Sequence, residues 1–203
     1  MIGVTEGMKE DRTSWEQFVR GMIERGLKGV RLVVGDRCAG LVATVNSMLP
    51  DAGYQRYMVH FMRNVLSKTS PTHREWASAA PKAVFAMESR ESALAKAETV
   101  ATEMEGRRLK AAANCLGEGI RETTTYLLPG YPVGRRRRIR TNNMIERPNR
   151  EIRRRTRVVG GFPDGDRALM LVCAHIRYVT ANGWSTRRYL DMFRLDDNLQ
   201  VAN

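Results

Sequence analysis

One short stretch sets the fold class. Val30-Arg31-Leu32-Val33-Val34 is the strongest strand signal in the chain, opened by Gly29 and closed by Gly35-Asp36. A β-branched run of this length between turn formers suits a buried strand and is too short for a helix. Amphipathic patterns flank it on both sides. Before it, Trp15, Phe18, Val19, Met22 and Ile23 recur at helical spacing up to Gly26. Ser14-Trp15-Glu16-Gln17 fits a capping box there, with Ser14 as the predicted cap. After the strand, Leu41, Val42, Val45 and Met48 share one face, and Pro50 stands just past the end. A weaker strand is predicted over residues 54–60, where Tyr54, Arg56, Met58 and His60 alternate with Gln55, Tyr57 and Val59. Helix, strand, helix, strand over residues 14–60 is an α/β order and predicts a parallel pair.

Beyond residue 60 the pattern changes. Residues 61–116 are rich in Ala, Glu, Lys, Arg and Met and predict three or four helices, broken near Pro71, Pro81 and Gly106. Pro129-Gly130-Tyr131-Pro132-Val133-Gly134 cannot hold a regular element and reads as a linker. A last helix is expected over residues 164–181, with Leu169, Val172, Cys173, Ile176 and Val179 on its apolar side, and a frayed tail beyond Tyr189. The expected organisation is a partial core over residues 1–60, a helical insertion and linker over 61–134, and an arginine-rich segment with closing helices over 135–203.

The charge is concentrated. Lys and Arg number 34 against 22 Asp and Glu, a net charge of +12. Residues 135–157 alone hold 11 arginines and two acids, Glu146 and Glu151, for a net of +9. The remaining 180 residues carry 23 bases and 20 acids, an ordinary balance. No run approaches the roughly 18 apolar residues of a membrane span, and the first residues lack the basic-then-apolar layout of a secretory signal. Cys38, Cys115 and Cys173 are odd in number and far apart, which argues against a disulfide scaffold or zinc ribbon and fits a reducing cytosol. Nucleic acid is the default partner of such a chain. Single-stranded RNA readers stack bases on aromatic side chains, whereas aromatics here are 7% and absent from the arginine segment.

Three features carry candidate chemistry. Asp36 follows the strongest strand, and open α/β sheets place catalytic groups beyond the carboxyl ends of strands. Taken alone, it fits a turn or cap residue better. Glu146 lies inside the +9 segment, where a pure phosphate-binding strip has no use for a carboxylate but a two-metal phosphodiester site requires one. It fits a helix-capping acid equally well. Least ambiguous are Arg135, Arg136, Arg137, Arg138, Arg140, Arg147, Arg150, Arg153, Arg154, Arg155 and Arg157, whose guanidinium groups suit phosphate oxygens. If residues 149–157 are helical, Arg150, Arg153, Arg154 and Arg157 share a face. His60, His73 and His175 have no partner at metal-ligand spacing and read as structural, although His60 at the end of the second strand is placed to face the same cleft as Asp36.

Taken together, several stretches resemble one family. Gly29-Val-Arg-Leu-Val-Val-Gly-Asp36 with Gly40-Leu41, then Gln55-Arg-Tyr-Met-Val-His-Phe-Met-Arg-Asn-Val65, are similar to the core of Mutator-type transposases of bacterial insertion sequences. The likeness continues through Ile139-Arg-Thr-Asn-Asn-Met-Ile-Glu-Arg-Pro-Asn-Arg-Glu-Ile-Arg-Arg-Arg-Thr-Arg-Val-Val159, Gly160, Phe162-Pro163, Ala168-Leu169 and Arg187-Arg188-Tyr189. The resemblance implies an α-rich α/β fold, a ribonuclease H-like core with an all-helical insertion. It also implies an Asp, Asp, Glu triad holding two Mg2+ ions for DNA strand cleavage and transfer. The second Asp of that triad falls on Asp36 and the Glu on Glu146. The implied partners are double-stranded DNA at transposon ends and a second copy or full-length transposase, in the bacterial cytoplasm at the nucleoid, with no membrane.

The chain departs from the family pattern in three places. No residue matches the family's first catalytic Asp, which lies on a strand upstream of Met1, so the expected protein is a truncated, inactive remnant with an incomplete core and weak Mg2+ binding. The alternative is a non-catalytic DNA-binding fragment that modulates full-length transposase. Tyr57-Met58-Val59-His60 stands where the family has Cys-x-x-His. Pro148 follows Glu146 by two residues, and a helix starting near Pro148 would leave Glu146 outside it.

Overall fold

The computed structural model describes residues 3–5, 9–141, 143–179 and 181. Its elements run α1 (Arg12–Glu24), β1 (Leu32–Gly35), α2 (Ala39–Met48), β2 (Gly53–Arg56), α3 (Met58–Ser67), α4 (Arg74–Val84), α5 (Arg90–Gly106), α6 (Lys110–Thr123), α7 (Arg136–Ile139), α8 (Asn143–Val159) and α9 (Gly165–Val179). Short 3-10 turns lie at Pro71–His73, Thr125–Leu127 and Val133–Arg135. The protein is a helix-rich α/β chain with a two-stranded parallel sheet among the described residues. It divides into two compact units.

One unit comprises Met1–Arg31, Cys38–Ala52 and Asn142–Asp191, and carries α1, α2, α8 and α9. The cap of α1 is Asp11, whose Oδ1 accepts the Ser14 amide at 2.9 Å, so Ser14 is the donor in the motif and not its cap. A carboxylate suits the positive helix end better than a hydroxyl does. The helix closes at Gly26, which takes φ +97° while Leu27 N–H reaches back to Met22, a left-handed stop that glycine adopts without strain. The start of α2 is tied to the start of α1 by Cys38 Sγ on the Glu10 carbonyl at 3.2 Å. Helix α8 begins at Asn143, earlier than the proline suggests, so Glu146 sits in its first turn and Pro148 lies inside it. Asp164 caps α9 by accepting the Arg167 amide at 2.8 Å.

Among the described residues, the second unit comprises Leu32–Arg37 and Gly53–Thr141, and holds the sheet and α3 to α7. As predicted, β1 and β2 are parallel, with Leu32 opposite Gly53 and Gly35 opposite Arg56. The second strand is shorter than its alternation suggested: it ends at Arg56, and His60 lies in the first turn of α3. Met58, Phe61, Met62 and Val65 recur at i, i+3, i+4 and i+7, and that helical period wins because it buries Phe61 and Val65 fully in the core. Around them pack Val84, Ala93, Ala97, Val100, Met104, Leu116 and Ile120 of α4, α5 and α6. Pro81 does not break α4 but is buried inside it, and the chain turns only after Val84.

The break after α5 has a different author from the one the composition suggested. Gly106 is still helical; the left-handed residue is Arg108, at φ 63°. Its N–H bonds the Glu105 carbonyl and the next N–H, of Leu109, bonds the Met104 carbonyl at 2.8 Å. Leu109 and Met104 are both buried, which completes a Schellman stop. A side chain at positive φ costs roughly 1–2 kcal/mol, so Arg108→Gly should raise the stability of the protein by about 1 kcal/mol in denaturant unfolding. No gain would mean that this turn relaxes without glycine.

Gln55 joins the sheet to the helices. Wholly buried, its Nε2 donates to the Thr123 carbonyl at 2.8 Å and to the Arg56 carbonyl at 2.7 Å, while its Oε1 accepts the Tyr126 amide at 2.8 Å. Beside it, Thr125 Oγ1 donates to the Tyr54 carbonyl at 2.7 Å. Gln55→Leu keeps the volume and orphans the Thr123 carbonyl and the Tyr126 amide. It should cost about 3 kcal/mol, seen in thermal unfolding as a fall in Tm of roughly 6–12 °C. An unchanged Tm would refute the latch.

Candidate catalytic carboxylate and arginine surface

Asp36 directly follows the last residue of β1, at the carboxyl end of the strand. Each of its carboxylate oxygens has one partner: Oδ1 accepts the Arg37 amide at 2.8 Å, and Oδ2 faces His60 Nδ1 at 2.8 Å. An ionised carboxylate only accepts, so Nδ1 carries the proton. Burial by itself would raise the Asp36 carboxyl, but the His60 and Arg37 hydrogen bonds with the charges of His60 and Arg56 outweigh it and hold the group below the ordinary value. The carboxylate is therefore ionised at neutral pH, and its side chain is still 53% exposed. The main-chain carbonyl of Asp36 accepts the Tyr54 hydroxyl. Burial, and then the acids Glu122 and Asp36, push the Tyr54 phenol up, so it stays a protonated donor.

Behind this group lies a buried cation. Arg56 closes β2 and is 1% exposed, with its guanidinium carbon 5.0 Å from the centre of the Phe61 ring. Nε and Nη1 have no partner among the described residues. The room for it comes from α6, where a Cβ on Gly119 would meet Phe61 Cε2 at 2.5 Å and Arg56 Nη1 at 2.7 Å. Glycine inside a helix costs about 1 kcal/mol relative to alanine, and this close approach is its physical reason. Burial and the neighbouring Arg37 lower the Arg56 pKa, yet a guanidinium starts so high that it stays charged.

The arginines divide in two. Arg136 and Arg140 turn inward: Arg136 Nη1 donates to the Glu88 carbonyl at 2.8 Å, and Arg140 Nη1 to the Phe85 carbonyl at 3.2 Å. Arg137 and Arg138 are exposed on α7. In the other unit, Arg150, Arg153, Arg154, Arg155 and Arg157 are all exposed on α8, with Glu151 paired to Arg154 at 3.1 Å. Glu146 is exposed in the first turn of the same helix. The side chains of Arg135 and Arg147 lie outside the described residues, as do Arg187, Arg188 and Tyr189. His175 of α9 is buried with neither ring nitrogen partnered among the described residues. Burial, helped by Arg155, lowers its pKa, which is a costlier state than the satisfied structural histidine expected.

A family profile described as "Transposase, Mutator family" matches residues 1–186. The chain belongs to the Mutator family of transposases. It is 33% identical over 203 residues to the transposase for insertion sequence element ISRM5 of Rhizobium meliloti strain 1021, a match covering 100% of the chain and 50% of that relative. Against the transposase for insertion sequence element IS1081 of Mycobacterium tuberculosis the identity is 33% over 192 residues, covering 95% of the chain and 46% of the relative. The transposase for insertion sequence element IS256 in transposon Tn4001 of Staphylococcus aureus is 28% identical over 201 residues, covering 94% of the chain and 49% of the relative. The chain thus spans about half the length of the curated relatives it matches.

Within this Mutator-family chain, Asp36 and Glu146 fall in different compact units. A hard divalent cation wants several oxygen ligands. The described residues contain no cluster of three or more His, Cys, Asp or Glu able to hold a metal ion, so the Asp36 neighbourhood does not by itself make a cation site. No helix among the described residues is long and apolar enough to cross a membrane. Sequence reasoning passed over Tyr54 and Arg56 and left His60 undecided. The available signal was polar crowding on the second strand, where Tyr54, Gln55 and Arg56 sit together in a segment that must pair with the apolar β1.

The Asp36 environment has a measurable signature. In an NMR titration of its carboxyl carbon, the midpoint should lie below the ordinary 3.8, and His60→Leu should move it upward. A carboxyl held low in the folded state stabilises the fold above its ordinary value, and that contribution disappears as pH falls through the folded midpoint. The acid limb of the stability curve should therefore flatten in His60→Leu. A midpoint unmoved by the substitution would show that His60 does not hold the charge.

Proposed function

We propose that this chain carries part of the DNA cleavage and strand-transfer centre of an insertion-sequence transposase, with Asp36 as a catalytic carboxylate. The observation that carries this reading is the ionised, oriented and accessible carboxylate at the carboxyl end of β1, in a chain of the Mutator family. A parallel strand pair with an acid at the strand end suits part of a ribonuclease H-like sheet. Glu146 is the second acid of the proposal, and Mg2+ its cofactor. Two carboxylates are a short ligand set for a pair of Mg2+ ions, so strand transfer by this chain without further protein should be weak. The remaining partners of the proposal are a second copy or a full-length transposase, in the bacterial cytoplasm.

Duplex DNA at transposon ends is the proposed substrate. The exposed α8 arginines, Arg150, Arg153, Arg154, Arg155 and Arg157, with Arg137 and Arg138 of α7, supply the phosphate contacts. Arg136 and Arg140 contribute by fixing the segment that precedes them. Such contacts carry little base information and fix register on the duplex.

The test is Mg2+-dependent nicking of an element-end duplex by wild type, Asp36→Ala and Glu146→Ala, with binding measured over a salt series. Nicking lost in both variants supports the catalytic reading. Nicking that is absent, or that survives both changes, leaves the chain as a non-catalytic DNA-binding protein that modulates full-length transposase. Binding should weaken steeply with salt, and each phosphate-neutralising arginine removed from α8 should lower the slope of log K against log salt by roughly 0.9. A flat salt response would remove the arginines from the proposal.

A further inference from the structure

Asp36 stands outside the strand ladder, where a loop residue ordinarily moves more than the element before it. It is nevertheless held from two directions by side chains rooted elsewhere. Tyr54 comes from β2, where its own carbonyl accepts Thr125 Oγ1 at 2.7 Å and the adjoining Gln55 is latched to α6. His60 comes from the first turn of α3, next to the fully buried Phe61. Both donors are thus anchored to the core of their unit independently of the loop they grip.

We propose that Tyr54 and His60 are positioning residues, a two-sided clamp that sets Asp36 in place before any ligand arrives. The labour is divided. Tyr54 holds the main chain, its hydroxyl donating to the Asp36 carbonyl. His60 holds the side chain, its Nδ1 at 2.8 Å from Oδ2 and opposite the Arg37 amide on Oδ1, so the carboxylate plane is pinned at both oxygens. Neither grip alone would suffice. Main-chain fixation leaves the carboxylate free to rotate, and side-chain fixation leaves it riding on a mobile loop. Phosphoryl chemistry punishes looseness, since a displacement of about 1 Å in a reacting group costs on the order of a hundredfold in rate. Preorganised sites are held to about 0.5 Å by neighbours that are themselves locked. Tyr54 and His60 meet that description through Thr125, Gln55 and Phe61.

The clamp rests on the reading of Asp36 as a catalytic carboxylate, but its test needs neither metal nor DNA. Order parameters would be measured on the full chain in wild type, Tyr54→Phe, His60→Leu and His60→Asn, by 15N relaxation for the backbone amides and by 13C relaxation for the Asp36 side-chain methylene. Tyr54→Phe removes one hydroxyl and keeps the ring. The asparagine amide nitrogen takes the place of Nδ1, whereas leucine removes the donor. The Asp36 and Arg37 amides should stand near the rigid value of about 0.85 in wild type, His60→Asn and His60→Leu, and fall toward about 0.6 in Tyr54→Phe. The order of the Asp36 side-chain methylene should instead fall in His60→Leu and hold in His60→Asn. Val100 and Leu116, buried in the core, should stay unchanged in every variant.

Wild-type amide order at Asp36 and Arg37 in Tyr54→Phe, or wild-type side-chain order at Asp36 in His60→Leu, would overturn the clamp. So would a loss of order spread evenly to Val100 and Leu116, which would make the two residues ordinary scaffold. Failure of DNA nicking would bear on the catalytic reading alone and leave this measurement standing.

Discussion

Gln55 occupies the point where strand, helix and turn of one unit meet. Its single amide satisfies the carbonyl at the end of α6, a carbonyl of its own strand and the amide that opens the turn at Thr125–Leu127. A buried amide with both ends used stabilises only modestly in net terms, but each of its partners would be costly if abandoned. That asymmetry makes it a register lock. With Gln55 seated, Tyr54 and Arg56 are placed on either side of it, and α3 starts two residues later with His60 in reach of Asp36. The geometry around the carboxylate thus descends from a residue with no role in its chemistry.

Electrostatics then separates two kinds of arginine. Those that donate to the Glu88 and Phe85 carbonyls, Arg136 and Arg140, act as long, charged struts. Those along α8 include Arg154, paired with Glu151, and a solvated face that dense in one sign repels itself unless an anion covers it. Arg56 is a third case, a cation sealed between Phe61 and Gly119. Stripping water from a guanidinium costs several kcal/mol. Part of the return is visible at Asp36, whose negative charge it helps to sustain.

The sequence read well where one pattern dominates locally. The β1 run, the α2 face and the stop at Gly26 stand where periodicity and turn chemistry put them. Errors arose where two local rules competed. Residues 54–60 alternate, yet Met58, Phe61, Met62 and Val65 also repeat at helical spacing, and only the core shows which set is buried. Ser14 has the motif of a cap, but Asp11 three residues earlier is the better acceptor. At Pro81 the expected break is absent, since α4 runs on to Val84, and α8 starts at Asn143 instead of near Pro148. Gly106 signalled the end of α5 correctly to within two residues, while Arg108 took the strained conformation.

By itself the sequence determined the order of elements, the concentration of charge in residues 135–157 and the two acids Asp36 and Glu146 as candidates, because those follow from spacing and composition alone. It could not determine what holds Asp36. Tyr54 is 18 residues away along the chain and His60 is 24, and nothing in local spacing links either to a particular carboxylate. Only the parallel pairing of β1 with β2 and the turn into α3 bring them together. That juxtaposition is a product of burying Phe61 and Gln55 in one core, which is a tertiary event.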